Sequence, residues 1–204
     1  MNVPELWLYE QQARERGYEM ICGCDEAGAG PLAGPVYAAA VILPFGLEIP
    51  GLTDSKKLTE KKREALFPVI QEKAVAWAVA RVEAEEIDET DILSARMKAM
   101  QLAIDALQVK VEYALIDGNR DKGKSFAIST AHECLVKGDS LSASIAAASI
   151  LAKVSRDRWM VEAAKEYPEY CFEQHKGYGT KLHYEMLREH GPSPIHRRTF
   201  LKNL

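Results

Sequence analysis

Short apolar segments of strand length alternate with longer helical segments along this chain of 204 residues. Some of the apolar segments come early and the others lie between helices, an order that predicts an α/β fold with a mixed β-sheet flanked by helices. The predicted strands are residues 20–25, 36–43, 75–82, 111–116 and 132–136.

Apolar residues at helical spacing mark the helices between these strands. The clearest case is 91–107, where Leu93, Met97, Met100, Ile104 and Leu107 recur at intervals of three and four residues. Three other predicted helices are 4–16, 140–167 and 180–190. A further helix begins after an N-cap at Thr59, and Pro68 either kinks it or lies in its first turn.

Composition excludes several classes of protein. The chain is 47% hydrophobic and 27% charged, the balance of a soluble globular protein rather than of a disordered tail or a collagen-like fibre. The longest apolar run, 36–45, contains Pro44 and falls short of the roughly 20 residues that a membrane helix needs. Residues 1–20 have no apolar core of a signal peptide, and the four cysteines form no C-x-x-C pair. We therefore expect a cytoplasmic, monomeric protein with no membrane partner and one domain over 1–204.

Three of the predicted strands run into acidic residues. Asp25 and Glu26 follow the first, Asp117 follows the fourth, and Asp139 comes shortly after the fifth. Carboxylates gathered at strand ends are the oxygen ligands that a hard divalent cation such as Mg²⁺ prefers. Two such ions can activate water for phosphodiester cleavage. The alternative for a single aspartate is a turn former or a helix N-cap, above all for Asp139.

Asp25 and Glu26 are neighbours, and neighbours on a regular strand point to opposite faces of a sheet. Both can reach one metal cluster only if the strand ends or bends there, and Gly28 and Gly30 permit such a bend. The glycines around Pro31 and Pro35 do not have the spacing of a dinucleotide-binding loop.

The charge of −4 is unevenly distributed. Residues 81–91 are strongly acidic, whereas 56–63 and 176–204 are basic. Solvated helix faces would explain any one of these clusters. Two basic clusters in a protein that also has carboxylates at its strand ends favour a phosphate-rich partner.

Eight stretches in the same order resemble the bacterial ribonuclease HII family. They are DEAGAGPLAGPV at 25–36, DSKKL at 54–58, IDGNR at 116–120, VKGD at 136–139, AASILAKV at 147–154, RD at 156–157, HKGY at 175–178 and HRRTF at 196–200. The resemblance extends from about residue 17 to the C-terminus.

This resemblance implies an RNase H-like fold, in which a mixed β-sheet is flanked by helices and followed by a helical C-terminal part. Residues of about 1–16 would form a helical extension, and about 168–204 a substrate-binding segment. It also implies an endoribonuclease that cuts the RNA strand of RNA–DNA hybrids and duplex DNA carrying single ribonucleotides. Asp25, Glu26, Asp117 and Asp139 match the family's catalytic carboxylates, which bind Mg²⁺ or Mn²⁺. Substrate contacts are expected from Gly28, Ala29, Gly30, Lys56, Lys57, Ser149, Lys153, Lys176 and the junction-stacking Tyr178.

One position departs from the family pattern. Ala29 stands where the family has the arginine of Gly-Arg-Gly, a charge-assisted phosphate donor. The departure puts junction recognition in question, while the four carboxylates argue that cleavage persists. Three other readings stay open: another RNase H-like nuclease, a nucleic-acid-binding module without catalysis, and a nucleotide-binding metabolic enzyme.

Overall fold

A computed structural model of the protein describes residues 5–201. Residues 1–4 and 202–204, including the predicted helix start at Pro4, the basic residue Lys202 and both ends of the predicted domain, lie outside the described residues. Five strands form the sheet: β1 (Ile21–Ala27), β2 (Val36–Ile42), β3 (Ala76–Val82), β4 (Tyr113–Asp117) and β5 (His132–Leu135).

The sheet is mixed, as predicted. Its order is β3-β2-β1-β4-β5. The strand β2 pairs antiparallel with β1 and β3, whereas β4 pairs parallel with β1 and β5. All five strands predicted from the apolar segments are confirmed within two residues at each end.

Residues 5–201 contain seven α-helices besides this sheet. They are α1 (Leu8–Glu15), α2 (Glu60–Lys73), α3 (Ala84–Glu89), α4 (Ile92–Asp105), α5 (Ala143–Glu166), α6 (Phe172–His175) and α7 (Lys181–His190). The sequence analysis missed α3, whose buried side chains are only Ala84 and Ile87.

Side-chain caps fix where several helices begin. The Asp91 carboxylate accepts hydrogen bonds from Leu93 N and Ser94 N, so α4 begins where its periodicity predicts. Thr59 caps α2 as predicted. The first-turn alternative for Pro68 is wrong, because Pro68 lies inside α2. The predicted helix start at 140 is also wrong, because Ser142 caps α5 after a 3-10 turn, Gly138–Ser140.

Two apolar layers enclose the sheet. The side chains of Cys22, Cys24 and Ile116 pack towards α4, while those of Ala39 and Val41 pack towards α5 and α2. The start of α5 lies directly on β1, since a Cβ added at Gly23 would be 2.2 Å from Ile145 N. Among the described residues, no helix is both long and apolar enough to span a bilayer.

Candidate active site

Three carboxylates converge at the end of the two central strands. Asp25 and Glu26 lie on β1, and Asp117 is the last residue of β4. One ligand oxygen from each lies within 4.8 Å of the others. This group, called the carboxylate cluster below, forms where pairing between β1 and β4 ends at Cys24 and Ile116.

The neighbours Asp25 and Glu26 reach the cluster differently from the prediction. The strand does not end at this pair, because β1 stays paired with β2 through Ala27. Only the partner strand on the other side ends, and this opens the space into which both carboxylates turn. The bend comes afterwards, at Gly28, whose φ is 92°.

Negative charge is crowded in the cluster. Asp25 is 4% exposed. Burial, together with the charges of Glu26 and Asp117, raises the pKa of Asp25 well above its ordinary value. Arg96 on α4 forms a salt bridge with Glu26, with 2.7 Å between Nη2 and Oε1, and neutralises only part of this charge.

The donor set fits a divalent metal ion. Glu26 Oε2 is buried without a hydrogen-bond partner among the described residues, which is costly unless a cation occupies the position beside it. Carboxylate oxygens are the ligands of Mg²⁺ and Mn²⁺. Asp25, Glu26 and Asp117 are therefore the residues that would hold such an ion.

Asp139 lies beside the cluster and lines the same cleft as Asp117. It is not the N-cap of α5, since Ser142 has that role. Gly138 N donates to Asp117 Oδ1 at 2.7 Å and ties the segment that carries Asp139 to the end of β4. Burial, the charge of Asp117 and a hydrogen bond with Asp54 raise the pKa of Asp139 to about 6.

Asp54, Arg96 and Lys137 are cleft or cluster residues that the sequence analysis did not single out. Asp54 accepts a hydrogen bond from Lys56 N at 2.8 Å and so forms the turn that carries the two predicted lysines. Its place before Ser55 and Lys56 was a usable N-cap signal. Arg96 lies on α4, where an arginine is typical of a solvated helix face. Nothing in the sequence indicates that the backbone of Lys137 is left-handed.

Lys56 and Lys57 are both exposed at the cleft, where the structure brings them together with Asp117 and Asp139. Partial burial by itself lowers the pKa of Lys56. The charges of Asp25 and Asp139 outweigh it, so the pKa of Lys56 is raised. Lys57 Nζ donates to Ser140 Oγ at 3.1 Å.

Ser149, a predicted substrate contact, lies on α5 beneath the turn that carries Lys56 and Lys57. Its side chain is 2% exposed, and its hydroxyl is already used within the protein. Ser149 Oγ donates to Ala146 O at 2.8 Å and accepts from Ser55 N at 3.3 Å. In this structure Ser149 therefore connects the turn that carries Lys56 and Lys57 to α5, and its contact with substrate stays a prediction.

Two fully buried arginines hold the loop between β1 and β2, residues 28–35. Arg197 donates to the carbonyl oxygens of Gly28, Ala29 and Gly34 at 2.6–3.0 Å. Arg156 donates to those of Ala33, Pro35 and Lys176 at 3.0–3.1 Å. Arg197 belongs to the basic segment 176–204, and its burial rules out a solvated helix face as the explanation for this residue.

Gly28 has a steric reason to be glycine. A Cβ added there would be 1.9 Å from Arg156 Nε. Gly30 is exposed, and a Cβ there would meet nothing within 4 Å. Ala29 lies between them, half-buried, with its carbonyl turned towards Arg197.

Tyr178 is 41% exposed, and two cations lie near its ring. Lys153 Nζ is 5.5 Å and Arg156 Cζ is 5.7 Å from the ring centroid. Lys153 is held by Asp157 at 2.7 Å. Lys176 lies two residues before Tyr178, and its ammonium donates to Glu173 O. The Tyr178 ring thus lies near two cations and is partly open to solvent.

A cluster of buried histidines lies under this tyrosine. His183 Nε2 and His196 Nε2 are 2.9 Å apart, and the His175 and His183 rings stack with centroids 4.3 Å apart. Burial is the largest cause that lowers the pKa of His183 and of His196 to about 4.

We expect the buried histidines His183 and His196 to destabilise the folded protein as the pH falls from about 6.5 to about 4. The unfolded chain binds protons at these two histidines near pH 6.5, whereas the native state does so only near pH 4, so the stability is complete above pH 6.5. Each histidine should lower the free energy of unfolding, measured with urea, by about 3 kcal/mol across this range, while the raised pKa values of Asp25 and Asp139 act in the opposite direction. The exposed His190→Gln control should keep the parent profile. A His183→Asn protein whose profile equals that of the parent would contradict the assignment.

Comparison with known proteins gives a consistent result. The sequence profile described as Ribonuclease HII matches residues 22–203. A protein named ribonuclease HII from Marinomonas sp. (strain MWYL1) is 57% identical over 182 residues, which cover 89% of this chain and 90% of that one. Another from Endomicrobium trichonymphae is 53% identical over 195 residues, covering 96% and 91%. The crystal structure of ribonuclease H2 from Pyrococcus horikoshii OT3 is similar with a TM-score of 0.72 and 27% identity, covering 88% and 92%.

Proposed function

The chain belongs to the ribonuclease HII family and is an RNase H hydrolase, and from that premise we propose which bonds it cuts and how. The substrates are RNA–DNA hybrids and duplex DNA with single embedded ribonucleotides, which it cuts on the 5′ side of the ribonucleotide. Cleavage is a two-metal phosphodiester hydrolysis with Mg²⁺ or Mn²⁺ that leaves 5′-phosphomonoesters. A monomeric and cytoplasmic state stays a prediction.

The observation that carries this proposal is the carboxylate cluster with its unpartnered Glu26 Oε2. Asp25, Glu26 and Asp117 would hold the ions, and bound divalent cations supply an activated water and stabilise the leaving oxygen. Asp139, whose pKa lies near 6, is placed to hold or transfer a proton at the edge of the cleft.

Positive groups around the cluster suit a polyanionic substrate. Lys56 and Lys57 lie on one side of the cleft, and the buried guanidinium groups of Arg156 and Arg197 lie behind loop 28–35. Among the described residues, neither arginine has a carboxylate within salt-bridge distance. Their positive charge is therefore not neutralised by an ion pair and would attract a substrate phosphate bound at loop 28–35. Backbone amides at Gly28 to Gly30 would test for the 2′-hydroxyl that distinguishes RNA from DNA.

Ala29→Arg should increase kcat/KM for a single embedded ribonucleotide by about tenfold or more. The added guanidinium supplies a charge-assisted donor to phosphate, which contributes about 1.5–3 kcal/mol. Ala29→Gln, which adds length without charge, is the matched control and should change little. Equal kinetics of the arginine variant and the present protein would show that position 29 does not limit junction recognition.

A panel of labelled substrates tests the proposed function. It contains a DNA duplex with one ribonucleotide, a long RNA–DNA hybrid, an all-DNA duplex and single-stranded RNA, each with Mg²⁺, Mn²⁺ or chelator. We expect metal-dependent cuts 5′ of the ribonucleotide and along the RNA strand of the hybrid only. Cleavage of the all-DNA duplex would favour another RNase H-like nuclease. Salt-sensitive binding without cleavage would favour a binding module.

A further inference from the structure

The buried histidines under Tyr178 form a directed chain of hydrogen bonds. Ser193 N donates to His196 Nδ1 at 2.9 Å, and Ser193 Oγ is 2.7 Å from the same nitrogen. Because Nδ1 accepts, the proton of neutral His196 is on Nε2. That proton points at His183 Nε2, 2.9 Å away.

The direction passes on through His183. Its Nε2 accepts from His196, so its own proton is on Nδ1, which lies 2.9 Å from Tyr178 O. The chain therefore runs from Ser193 through two histidines to the backbone carbonyl of Tyr178. Neither histidine reaches solvent, since both are at most 2% exposed.

We propose that His183 and His196 are positioning residues that hold the backbone of Tyr178 so that its ring faces the substrate duplex. This inference rests on the proposed function and on the stacking of the Tyr178 ring at the junction between ribonucleotide and DNA, which the family resemblance predicts. His183 fixes the carbonyl of Tyr178, and His196 fixes the tautomer that lets His183 donate.

The surrounding contacts show why this anchor matters. Tyr178 N donates to His175 O at 2.9 Å, and Tyr178 O also accepts from Thr180 N at 2.8 Å. The backbone of Tyr178 is thus held from three directions. Its side chain, in contrast, is 41% exposed and lies near the cations of Lys153 and Arg156. The backbone anchor is what limits the directions in which the exposed ring can point.

A matched pair of variants separates positioning from general packing. His183→Asn places an amide nitrogen where Nδ1 was and keeps the donor to Tyr178 O. His183→Gln places its amide near the Nε2 position and loses that donor. For the single-ribonucleotide duplex, we expect His183→Gln to raise KM by about five- to tenfold, the worth of one hydrogen bond, with kcat nearly unchanged. His183→Asn should restore KM to within about twofold of the parent.

Tyr178→Ala completes a double-mutant cycle. The effect of His183→Gln should disappear in the Tyr178→Ala background. If Tyr178→Ala raises KM but His183→Gln does not, or if both His183 variants behave alike, the positioning role is overturned and the proposed function stands. If Tyr178→Ala leaves KM unchanged, the proposed junction contact fails and the positioning role fails with it.

A measurement on the unaltered protein does not depend on how the variants fold. Nitrogen-15 NMR of the histidine rings should show His183 protonated at Nδ1 and His196 protonated at Nε2 at pH 7. The opposite tautomer at His183 would overturn the inference, because that ring would then have no proton to donate to Tyr178 O.

Discussion

Asp25→Asn should lower the rate of RNA-strand cleavage by about a thousandfold or more and, in chelator, should raise the melting temperature. The rate falls because the amide is a poor ligand at the centre of the carboxylate cluster, and a thousandfold corresponds to about 4 kcal/mol of activation free energy. The stability rises because a buried charge next to Glu26 and Asp117 is removed. A purely structural aspartate would show the opposite pair of effects.

Asp105→Asn is the matched control for this prediction. Asp105 is an exposed aspartate at the end of α4, bonded to Gln101 Nε2 at 2.8 Å. It should retain full cleavage and an unchanged melting temperature. Cleavage by Asp25→Asn at more than about a tenth of the parent rate would remove Asp25 from the metal-binding group.

Arg197→Met should destabilise the protein by about 3–5 kcal/mol. The substitution leaves the carbonyl oxygens of Gly28, Ala29 and Gly34 without their donor, and each unsatisfied buried group costs about 1–3 kcal/mol. Burial, and next the positive charge of Arg156, lower the pKa of Arg197 to about 9. Removing Arg197 ends this repulsion between the two arginines and so offsets part of the loss. Urea denaturation measures the difference.

Arg158→Met is the control for the buried arginine. Arg158 is exposed and its guanidinium pairs with Glu64 on the surface, so its loss should cost less than about 1 kcal/mol. A similar small loss for Arg197→Met would mean that loop 28–35 does not depend on its guanidinium anchor.

The sequence sufficed for the parts of the site that depend on local order along the chain. Asp117 closes a strand because an apolar run ends at Ile116, and parallel pairing of β1 with β4 then brings it beside Asp25. The N-cap at Thr59 follows from the same kind of local pattern.

The parts that were missed depend on distant partners. Arg197 bonds to Gly28 and Ala29 across more than 160 residues, and an arginine in a basic cluster gives no sign of burial. The hydrogen bond between Ser55 N and Ser149 Oγ spans 94 residues, so no local pattern indicates it either. The orientation of Asp25 and Glu26 depended on where the neighbouring strand β4 ends, which no property of β1 reveals.

Titration with Mn²⁺, followed by the electron paramagnetic resonance of the free ion, tests the central claim most directly, because it reports metal binding without requiring substrate. The unaltered protein should bind Mn²⁺, Asp105→Asn should bind it equally, and Asp25→Asn and Glu26→Gln should each lose that binding. Equal Mn²⁺ binding by all four proteins would contradict the assignment of the carboxylate cluster as the metal centre.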